Sequence, residues 1–332
     1  MKRIATLGLH HDHVWGNLEE LQRTGQAELA AAADEDPQLL AQYSEKFPGK
    51  TYQSYEDLLD NERLDAVYIF ASNKLSEDLT VAAAERGLHC LVEKPMAATL
   101  EGATRMKSAA EKAGVRLMIN WPFAWWPQLR HGIAMAQAGE LGQLWQVKYR
   151  AAHQGPVELG CSPQFCEWLY DAELNGAGAL MDYCCYGAVL ADVLLGRPNR
   201  VDGIKISTGL KPDLKLEDNA ILVLSYDHAL ATTEASWTQI DKLTSYSTTL
   251  YGSEGTLLIA PDHGGSIQLA NAEHPDGIRL EIPEQPAHLE NASTHFLATI
   301  DDPELTIHPL CDAEHGYGSQ WILEEGIRSA GR

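Results

Sequence analysis

The sequence is poor in basic residues, in paired cysteines and in long apolar runs. It has 25 Lys and Arg against 47 Asp and Glu, a net charge of −22, which disfavours binding to nucleic acid or anionic lipid. No stretch approaches the ~20 consecutive apolar residues of a membrane span. The N-terminus runs directly into an apolar strand, which leaves no room for a signal peptide. The six cysteines include no Cys-x-x-Cys pair. We therefore expect a reduced, cytoplasmic protein with no nucleic-acid or membrane partner.

The 332 residues are 45% hydrophobic, which is enough for two domains with separate cores. In the first third of the chain, short apolar strands alternate with helical patterns; strands are predicted at 4–7, 29–33, 64–70, 91–93 and 115–119. This alternation is typical of βαβ units and a parallel sheet. We predict an N-terminal Rossmann domain over residues 1–121.

Beyond residue 121 the pattern changes from alternation to successive strands. They are predicted at 144–152, 204–208, 220–226, 229–237 and 245–251, and a final helix is predicted at 312–329. Because most of these strands follow one another without long helices, we expect antiparallel pairing. The fold class is therefore α/β, with a second α/β domain over residues 122–332 whose sheet is mostly antiparallel.

The start of the chain has the pattern of a dinucleotide site. Gly8 follows the first strand and would let a pyrophosphate approach a helix N-terminus. Asp34 ends the second strand, near the spacing of an acid that binds ribose hydroxyls. Three successive carboxylates, Asp34 to Asp36, would repel a 2′-phosphate, so we predict NAD rather than NADP. Asp36 precedes Pro37 and is predicted to cap a helix.

Three histidines lie in this turn. His10 takes the place of the second glycine of the Gly-x-Gly-x-x-Gly pattern. His10 and His11 could donate hydrogen bonds to phosphate, whereas His13 could face a substrate. His11 and His13 are two potential metal ligands without a third nearby in the sequence, so we predict no metal site.

A second stretch with chemical potential ends a strand at Glu93-Lys94-Pro95. Pro95 cannot donate to a sheet ladder, so the strand stops there. Ligands of open α/β sheets bind outside the carboxyl ends of strands. Lys94 is thus a candidate for holding a substrate oxygen; the alternative is an ordinary surface turn.

A third stretch, residues 175–186, reads NGAGALMDYCCY. Small residues lead into a predicted helix on which Asp182 and Tyr186 are i and i+4, hence on one face. The alternative is a core helix with Tyr186 as a half-buried tyrosine. Cys184 and Cys185 are interpreted as packing residues, because no base is evident near them.

The sequence Val92-Glu93-Lys94-Pro95 and the stretch 175–186 resemble the Gfo/Idh/MocA oxidoreductases, relatives of glucose–fructose oxidoreductase and inositol dehydrogenase. The resemblance implies a Rossmann domain followed by a domain with an open, mostly antiparallel sheet. It implies hydride transfer between a nicotinamide and a hydroxyl or carbonyl of a sugar-like or cyclitol substrate. In that role Lys94 would hold the reacting oxygen, Tyr186 would exchange its proton in place of the more common histidine, and Asp182 would bind a neighbouring hydroxyl.

The resemblance also suggests residues that line the two ends of the site. Residues 69–76 resemble the family loop beside the nicotinamide, and Ser76 is predicted to cap the next helix. Candidate cofactor contacts are Gly8, His10, His11, Asp34, Ser72, Asn73, Glu93 and Lys94. Candidate substrate contacts are His13, Trp121, His153 and Trp168.

Two other functions use the same parts. Some members of the family cleave glycosides by transient oxidation with no net redox change, and others are non-catalytic sugar sensors. The resemblance further implies a homo-oligomer, dimer or tetramer, assembled through the C-terminal sheet.

Overall fold

The computed structural model describes residues 1–241, 243–260 and 265–331. The chain divides into two compact units. The first unit comprises Met1–Asn120, Cys161–Gly176 and Pro286–Tyr317; the second comprises Trp121–Gly160, Ala177–Gln285 and Gly318–Arg332. The first boundary lies one residue from the expected one, but two later segments belong to the first unit. The division is therefore not the single cut at 121/122 that the sequence suggested.

The first unit is built on a parallel sheet, as predicted. Its strands are β1 (Lys2–Leu7), β2 (Ala27–Ala33), β3 (Lys50–Tyr52), β4 (Ala66–Ile69), β5 (His89–Glu93) and β6 (Leu117–Asn120). Their order is β3-β2-β1-β4-β5-β6, and every neighbouring pair is parallel. The order reverses between β1 and β4, which is where doubly wound sheets bind ligands.

The second unit contains the mostly antiparallel sheet that the strand pattern predicted. Its strands are β7 (Leu144–Ala152), β8 (Arg200–Ile206), β9 (Asn219–Ser225), β10 (Leu230–Ser236), β11 (Ser247–Gly252), β12 (Gly255–Ile259), β13 (Ile267–Asn271) and β14 (Ile278–Arg279). Their order is β14-β13-β12-β11-β7-β10-β9-β8, with only the β7–β10 pair parallel among these described strands. β13 and β14 were not predicted.

The α-helices of the described chain are α1 (His13–Thr24), α2 (Pro37–Lys46), α3 (Tyr55–Asn61), α4 (Asn73–Glu85), α5 (Leu100–Ala113), α6 (Pro127–Gln137), α7 (Pro163–Leu169), α8 (Ala172–Asn175), α9 (Cys185–Leu195), α10 (Ala292–Asp301) and α11 (Ala313–Ala330). Short 3₁₀ turns lie at Pro122–Trp125 and Ala287–Leu289. Asp36 caps α2 as predicted, by accepting a hydrogen bond from the Gln38 amide. The predicted cap at Ser76 is wrong: Ser72 caps α4 and Ser76 is buried within it.

Helices α7 and α10 were missed, although each begins with a capping residue that is visible in the sequence. Ser162 caps α7 through the Phe165 amide. Asn291 and Thr294 form a capping box at the start of α10. Both helices belong to the first unit, although they lie far along the chain from its sheet.

The expectation that no segment has the length and apolar character of a membrane span is wrong. Residues Ala172–Leu195 are long and apolar enough by composition, with a mean hydropathy of 1.4 over an 18-residue window, but 83% of that window is buried inside the protein. A buried core helix passes the same test as a membrane span. This is the stretch that carries Asp182 and Tyr186.

Candidate active site

The turn after β1 requires a glycine. Gly8 has a φ of +82°, and a Cβ placed there would lie 2.7 Å from Ala71. The left-handed conformation and the close approach of the β4 end both exclude a side chain. The first residue of the predicted dinucleotide turn must therefore be glycine, because a Cβ at this position would collide with Ala71.

Asp34 anchors this turn from the end of β2. Its Oδ2 accepts a hydrogen bond from the Leu9 amide at 2.7 Å, and its Oδ1 accepts one from the Asp36 amide at 2.8 Å. Burial raises the pKa of Asp34, against the opposing effect of His10. His10 Nδ1 lies 3.2 Å from Oδ2. Both carboxylate oxygens are thus engaged by the protein, and the ribose contact of Asp34 stays a prediction.

A cavity of about 620 Å³ lies within the first unit, beside the turn. Its lining includes residues that follow β1, β2 and β4, namely His10, Asp36 and Ser72, together with Trp168 of α7. Trp168 Nε1 is buried and has no hydrogen-bond partner among the described residues. A nucleotide bound at this edge of the sheet could give this atom a partner, so the lining fits the NAD that the fold implies.

The loop after β4 is held by its own side chains. The Ser72 hydroxyl accepts from the Leu75 amide at 3.3 Å. The Asn73 amide donates to the side-chain and main-chain oxygens of Asn175, at 2.8 and 3.1 Å. Asn175 in turn donates to the Leu169 carbonyl. Asn175 was not predicted as a site residue; it directly precedes the small-residue run that drew attention to this stretch.

His13 contacts the end of β5. Its Nδ1 lies 3.1 Å from Glu93 Oε1, and Asn120 donates to Glu93 Oε2 at 2.8 Å. The ring of His11 lies 4.5 Å from that of His13. Burial, followed by the neighbouring His13 and Lys94, lowers the pKa of His11 well below its ordinary value. His11 is therefore neutral at pH 7.

His11 is enclosed by residues of α7. Its ring lies 4.6 Å from Phe165 and 5.8 Å from Trp168. The structure thus brings the predicted cofactor residue His11 and the predicted substrate residue Trp168 together in the first unit. Their separation in the sequence hid this contact.

Lys94 is only 3% exposed, and Glu93 before it is also buried. The alternative of a surface Glu-Lys-Pro turn is therefore wrong. Lys94 lies in the first unit, whereas Asp182 and Tyr186 lie in the second.

Asp182 and Tyr186 do not lie on one regular α-helix, so the prediction of a regular helix over this stretch is wrong, and their shared face stays a prediction. Residues Leu180–Cys184 form a π-helical turn, and α9 begins at Cys185. Such turns add a residue to the helical repeat and are frequent at functional sites. The indole of Trp237, the residue after β10, donates to Asp182 Oδ2 at 3.0 Å, and this partner was not predicted.

The small residues before the π-helical turn have a packing reason. A Cβ at Gly178 would lie 2.3 Å from the carbonyl oxygen of Glu217. The Glu217 carboxylate also accepts hydrogen bonds from the amides of Gly178 and Leu180, at 2.7 and 3.2 Å. Glu217 is buried and fixes the entry to the turn.

The Tyr186 ring is buried among four aromatic rings of the second unit. Tyr149 and Tyr183 lie nearly parallel to it, at 6.0 and 5.9 Å and angles of 17° and 25°. Trp121 and Phe123 meet it edge-on at 5.6 and 5.0 Å. The Trp121 indole nitrogen and the Tyr149 hydroxyl have no hydrogen-bond partner among the described residues. Trp121 was predicted as a site residue; Tyr149 was missed, since it alternates along β7 like any core residue.

His153 lies at the end of β7, with its ring 4.8 Å from Tyr183. Its Nδ1 accepts from the Gly155 amide at 2.8 Å, so in the neutral ring the proton is on Nε2. The Tyr183 hydroxyl lies 2.7 Å from that of Tyr246. Burial raises the pKa of Tyr183 well above its ordinary value.

Comparison with known proteins decides the family. The model of the Gfo/Idh/MocA oxidoreductase family, NAD-binding Rossmann fold, matches residues 8–121, and that of the Gfo/Idh/MocA C-terminal domain matches residues 130–258. An NADP-dependent D-xylose 1-dehydrogenase of Haloarcula marismortui is 30% identical over 274 residues, which is 80% of this chain and 72% of that protein. The chain belongs to the Gfo/Idh/MocA family.

Two further similarities concern one relative and one solved structure. D-xylose 1-dehydrogenase (NADP(+)) 2 of Haloferax volcanii is 34% identical over 212 residues, covering 63% of this chain and 62% of that protein, which is less than two thirds of its length. The crystal structure of an aldose–aldose oxidoreductase from Caulobacter crescentus has a TM-score of 0.83, with 24% identity and coverage of 100% of this chain and 98% of that one. The latter likeness shows the shared fold.

In this member of the Gfo/Idh/MocA family, the sequence did not indicate several residues that hydrogen-bond or pack in and around the predicted site. They are Asn120, Tyr149, Asn175, Glu217, Trp237 and Tyr246. Apart from Asn175, each is an ordinary core or loop residue by local pattern, and only its partner identifies it. Asn175 had a signal, since it directly precedes the small-residue run.

Proposed function

We propose that this oxidoreductase transfers hydride between NAD and a hydroxyl or carbonyl group of a sugar-like or cyclitol compound. The observation that carries the proposal is the cavity at the carboxyl ends of β1, β2 and β4, whose lining includes the buried indole nitrogen of Trp168, an atom with no hydrogen-bond partner among the described residues. The names of the relatives, which are D-xylose dehydrogenases, support a sugar-like substrate.

The charge of the cavity supports NAD over NADP, although both relatives named above use NADP. Four carboxylates line the cavity, those of Glu35, Asp36, Asp78 and Glu167. The one ammonium group in the lining, that of Lys74, is paired with Glu77 at 2.7 Å. A 2′-phosphate would meet like charges there, whereas a ribose hydroxyl would meet acceptors.

The nucleotide preference is tested with Asp36→Ser. Serine is also a good helix N-cap, so the variant removes the charge and keeps the capping of α2. NADP should bind about five-fold more tightly, which corresponds to ~1 kcal/mol for one charge pair in water, while NAD affinity changes little. Calorimetric titration of both nucleotides measures this, and Asp60→Ser, outside the cavity lining, is the matched control. Tighter binding of NADP than NAD by the unmodified protein would contradict the proposal.

In this proposal three buried residues handle the substrate. NAD, when bound, supplies the hydride chemistry. Lys94 holds and polarises the reacting oxygen, Tyr186 exchanges its proton, and Asp182 accepts a hydrogen bond from a neighbouring hydroxyl. The Trp237 indole fixes the Asp182 carboxylate, and the surrounding rings fix the plane of Tyr186.

The role of Lys94 is tested with Lys94→Met, which keeps the bulk of the side chain and removes the ammonium group. Turnover should fall by ~10²-fold or more, the usual loss when a charge-stabilising donor is removed, while NAD affinity changes little. Lys112→Met, at the end of α5, is the control and should keep normal turnover. Product formation without net NADH would instead favour glycoside cleavage, and NAD binding without turnover on any polyol would favour a sensor.

The role of Tyr186 is tested with Tyr186→Phe, which keeps the ring and removes only the hydroxyl. Turnover should be lost while the melting temperature stays close to that of the unmodified protein. Tyr186→His should restore part of the activity, with a pH profile that turns near the ordinary histidine pKa of about 6.5. Near-normal rates for Tyr186→Phe with an unchanged profile would assign the proton to a histidine instead.

We also propose that the protein forms a homo-oligomer through the outer face of the second sheet and that it is located in the cytoplasm. On that face Ile204 of β8 lies opposite Ile221 of β9, and both are exposed. No disulfide links the described cysteines, which is consistent with a reducing compartment. Light scattering on Ile204→Asp should show a smaller particle than the unmodified protein; a monomeric unmodified protein would contradict the oligomer.

A further inference from the structure

The fold brings a third potential metal ligand to His11 and His13. The sequence predicted no metal because these two histidines had no third ligand near them. In the structure Glu93, eighty positions beyond His13 in the chain, supplies one from the end of β5. One ligand atom of each residue lies within 4.8 Å of the other two.

We propose that His11, His13 and Glu93 form a binding site for a divalent transition metal of the Zn²⁺ type. Two imidazole nitrogens and one carboxylate oxygen are a common set of protein ligands for zinc, with water in the fourth position. Imidazole donors favour such a metal over Mg²⁺ or Ca²⁺, which prefer oxygen ligands.

The geometry of His13 and Glu93 already suits a shared metal. His13 Nδ1 and Glu93 Oε1 are 3.1 Å apart, close to the ~3.3 Å that separates two ligands at bonds of about 2.0 Å in a tetrahedral site. His11 accepts a hydrogen bond from the His13 amide at its Nδ1, at 3.2 Å. In the neutral ring the proton is then on Nε2. Ligation through Nε2 would move that proton to Nδ1, where it would face the His13 N–H, so the His13 peptide group would have to turn away as the metal binds.

The neighbours of the cluster orient its ligands. Asn120 binds Glu93 Oε2 at 2.8 Å, which leaves Oε1 to face His13. Asn120 also donates to Asn17 Oδ1 at 3.1 Å, so its own orientation is set. The His11 ring is packed against Phe165 and Trp168. Outer partners of this kind are what hold first ligands in place at metal sites.

The metal should inhibit the enzyme. Lys94 directly follows the proposed ligand Glu93 in the chain, and both residues are buried. A dication bound to the cluster would repel the Lys94 ammonium group and occupy the carboxylate beside it. This consequence, unlike the binding itself, rests on the proposed role of Lys94 in turnover.

The test uses the full chain after removal of metal with a chelator, without nucleotide. Calorimetric titration with ZnCl₂ should show one saturable site per chain. Co²⁺ should give the visible bands of a four-coordinate nitrogen and oxygen site without a thiolate charge-transfer band, because the cluster contains no cysteine. A thiolate band, or no saturable binding up to millimolar metal, would overturn the proposal.

Variants locate the site. His13→Asn and Glu93→Gln should each weaken Zn²⁺ binding by more than the ~10–100-fold that loss of an outer partner costs. Asn120→Ala removes such an outer partner, so it should weaken Zn²⁺ binding by ~10–100-fold. This variant tests the site even if a variant of one of the ligands does not fold. His10→Asn, in the same turn but outside the cluster, is the matched control and should bind Zn²⁺ normally. Equal affinity of His13→Asn and the unmodified protein would overturn the assignment.

The inhibitory role is measured separately, as turnover with and without Zn²⁺ and its recovery on adding chelator. Binding without inhibition would overturn the regulatory role and leave the site in place. Metal-free protein that binds NAD but turns over no polyol would contradict the proposed function without affecting the calorimetric result. The two proposals can therefore fail independently.

Discussion

Replacing Asp34 by alanine tests whether this residue anchors the turn or only contacts a nucleotide. In the structure its carboxylate accepts hydrogen bonds from the amides of Leu9 and Asp36. In Asp34→Ala both amides lose their acceptor, and each buried unpaired group costs about 1–3 kcal/mol, hence ~2–6 kcal/mol together. Burial disfavours the charged carboxylate, and relief of that cost offsets part of the loss. We therefore expect a loss near ~2–4 kcal/mol in the free energy of unfolding.

Urea unfolding of the nucleotide-free protein measures this loss. Asp34→Asn retains one acceptor oxygen, so its loss in the free energy of unfolding should be smaller than that of Asp34→Ala. Asp36→Ala, two residues away, removes a helix cap and should lose only ~1 kcal/mol. A free energy of unfolding for Asp34→Ala within ~0.5 kcal/mol of the unmodified protein, as for ordinary surface substitutions, would refute the anchoring role.

Nucleotide titration of the same variant addresses the ribose contact. If Asp34 also binds ribose hydroxyls, Asp34→Ala should lower the affinity for NAD more than the affinity for NADP, and the gap between the two affinities should narrow. If Asp34 acts on the turn alone, both affinities should fall by the same factor. The stability result and the affinity ratio thus separate the two roles.

Three other perturbations follow from the geometry. Gly178→Ala places a Cβ against the Glu217 carbonyl and should lower the free energy of unfolding by about 1–3 kcal/mol, the usual effect of overpacking; an unchanged urea midpoint would contradict the contact. Trp237→Phe removes the donor to buried Asp182 and should lower the free energy of unfolding by at least ~1.5–3 kcal/mol. Trp145 is exposed, so Trp145→Phe, measured alongside, should change this free energy little. Burial lowers the pKa of His11 in the folded chain, so below pH ~6.5 the unfolded chain binds more protons than the folded one, and stability should fall there by up to ~1.4 kcal/mol per pH unit. In His11→Gln this slope should be shallower; equal slopes from pH 6.5 to 5 would show that the ring is protonated in the folded protein.

The alternation of strands and helices, the glycine after β1 and the strand end at Pro95 were all evident in the sequence because each depends on neighbouring residues. Apolar spacing decides which face of an element is buried, and glycine or proline decides where it turns. For the same reason the parallel first sheet and the mostly antiparallel second sheet were predicted correctly.

The missed features depend on residues that are distant in the chain. The segment with the π-helical turn at Leu180–Cys184 is held by Glu217, which lies more than 30 positions further along the chain and accepts from the Gly178 and Leu180 amides. Helical periodicity alone therefore placed Asp182 and Tyr186 on one regular helix, which they do not share.

The sequence by itself determined the family, the two sheets and the residue types at the strand ends, since these are set by local pattern and motif. Only the tertiary structure decided that Lys94 is buried and that Asp34 binds backbone amides. It alone brought Glu93 to His13. Burial and hydrogen-bond partners are properties of pairs of segments, and no local pattern in one segment specifies what the other places against it.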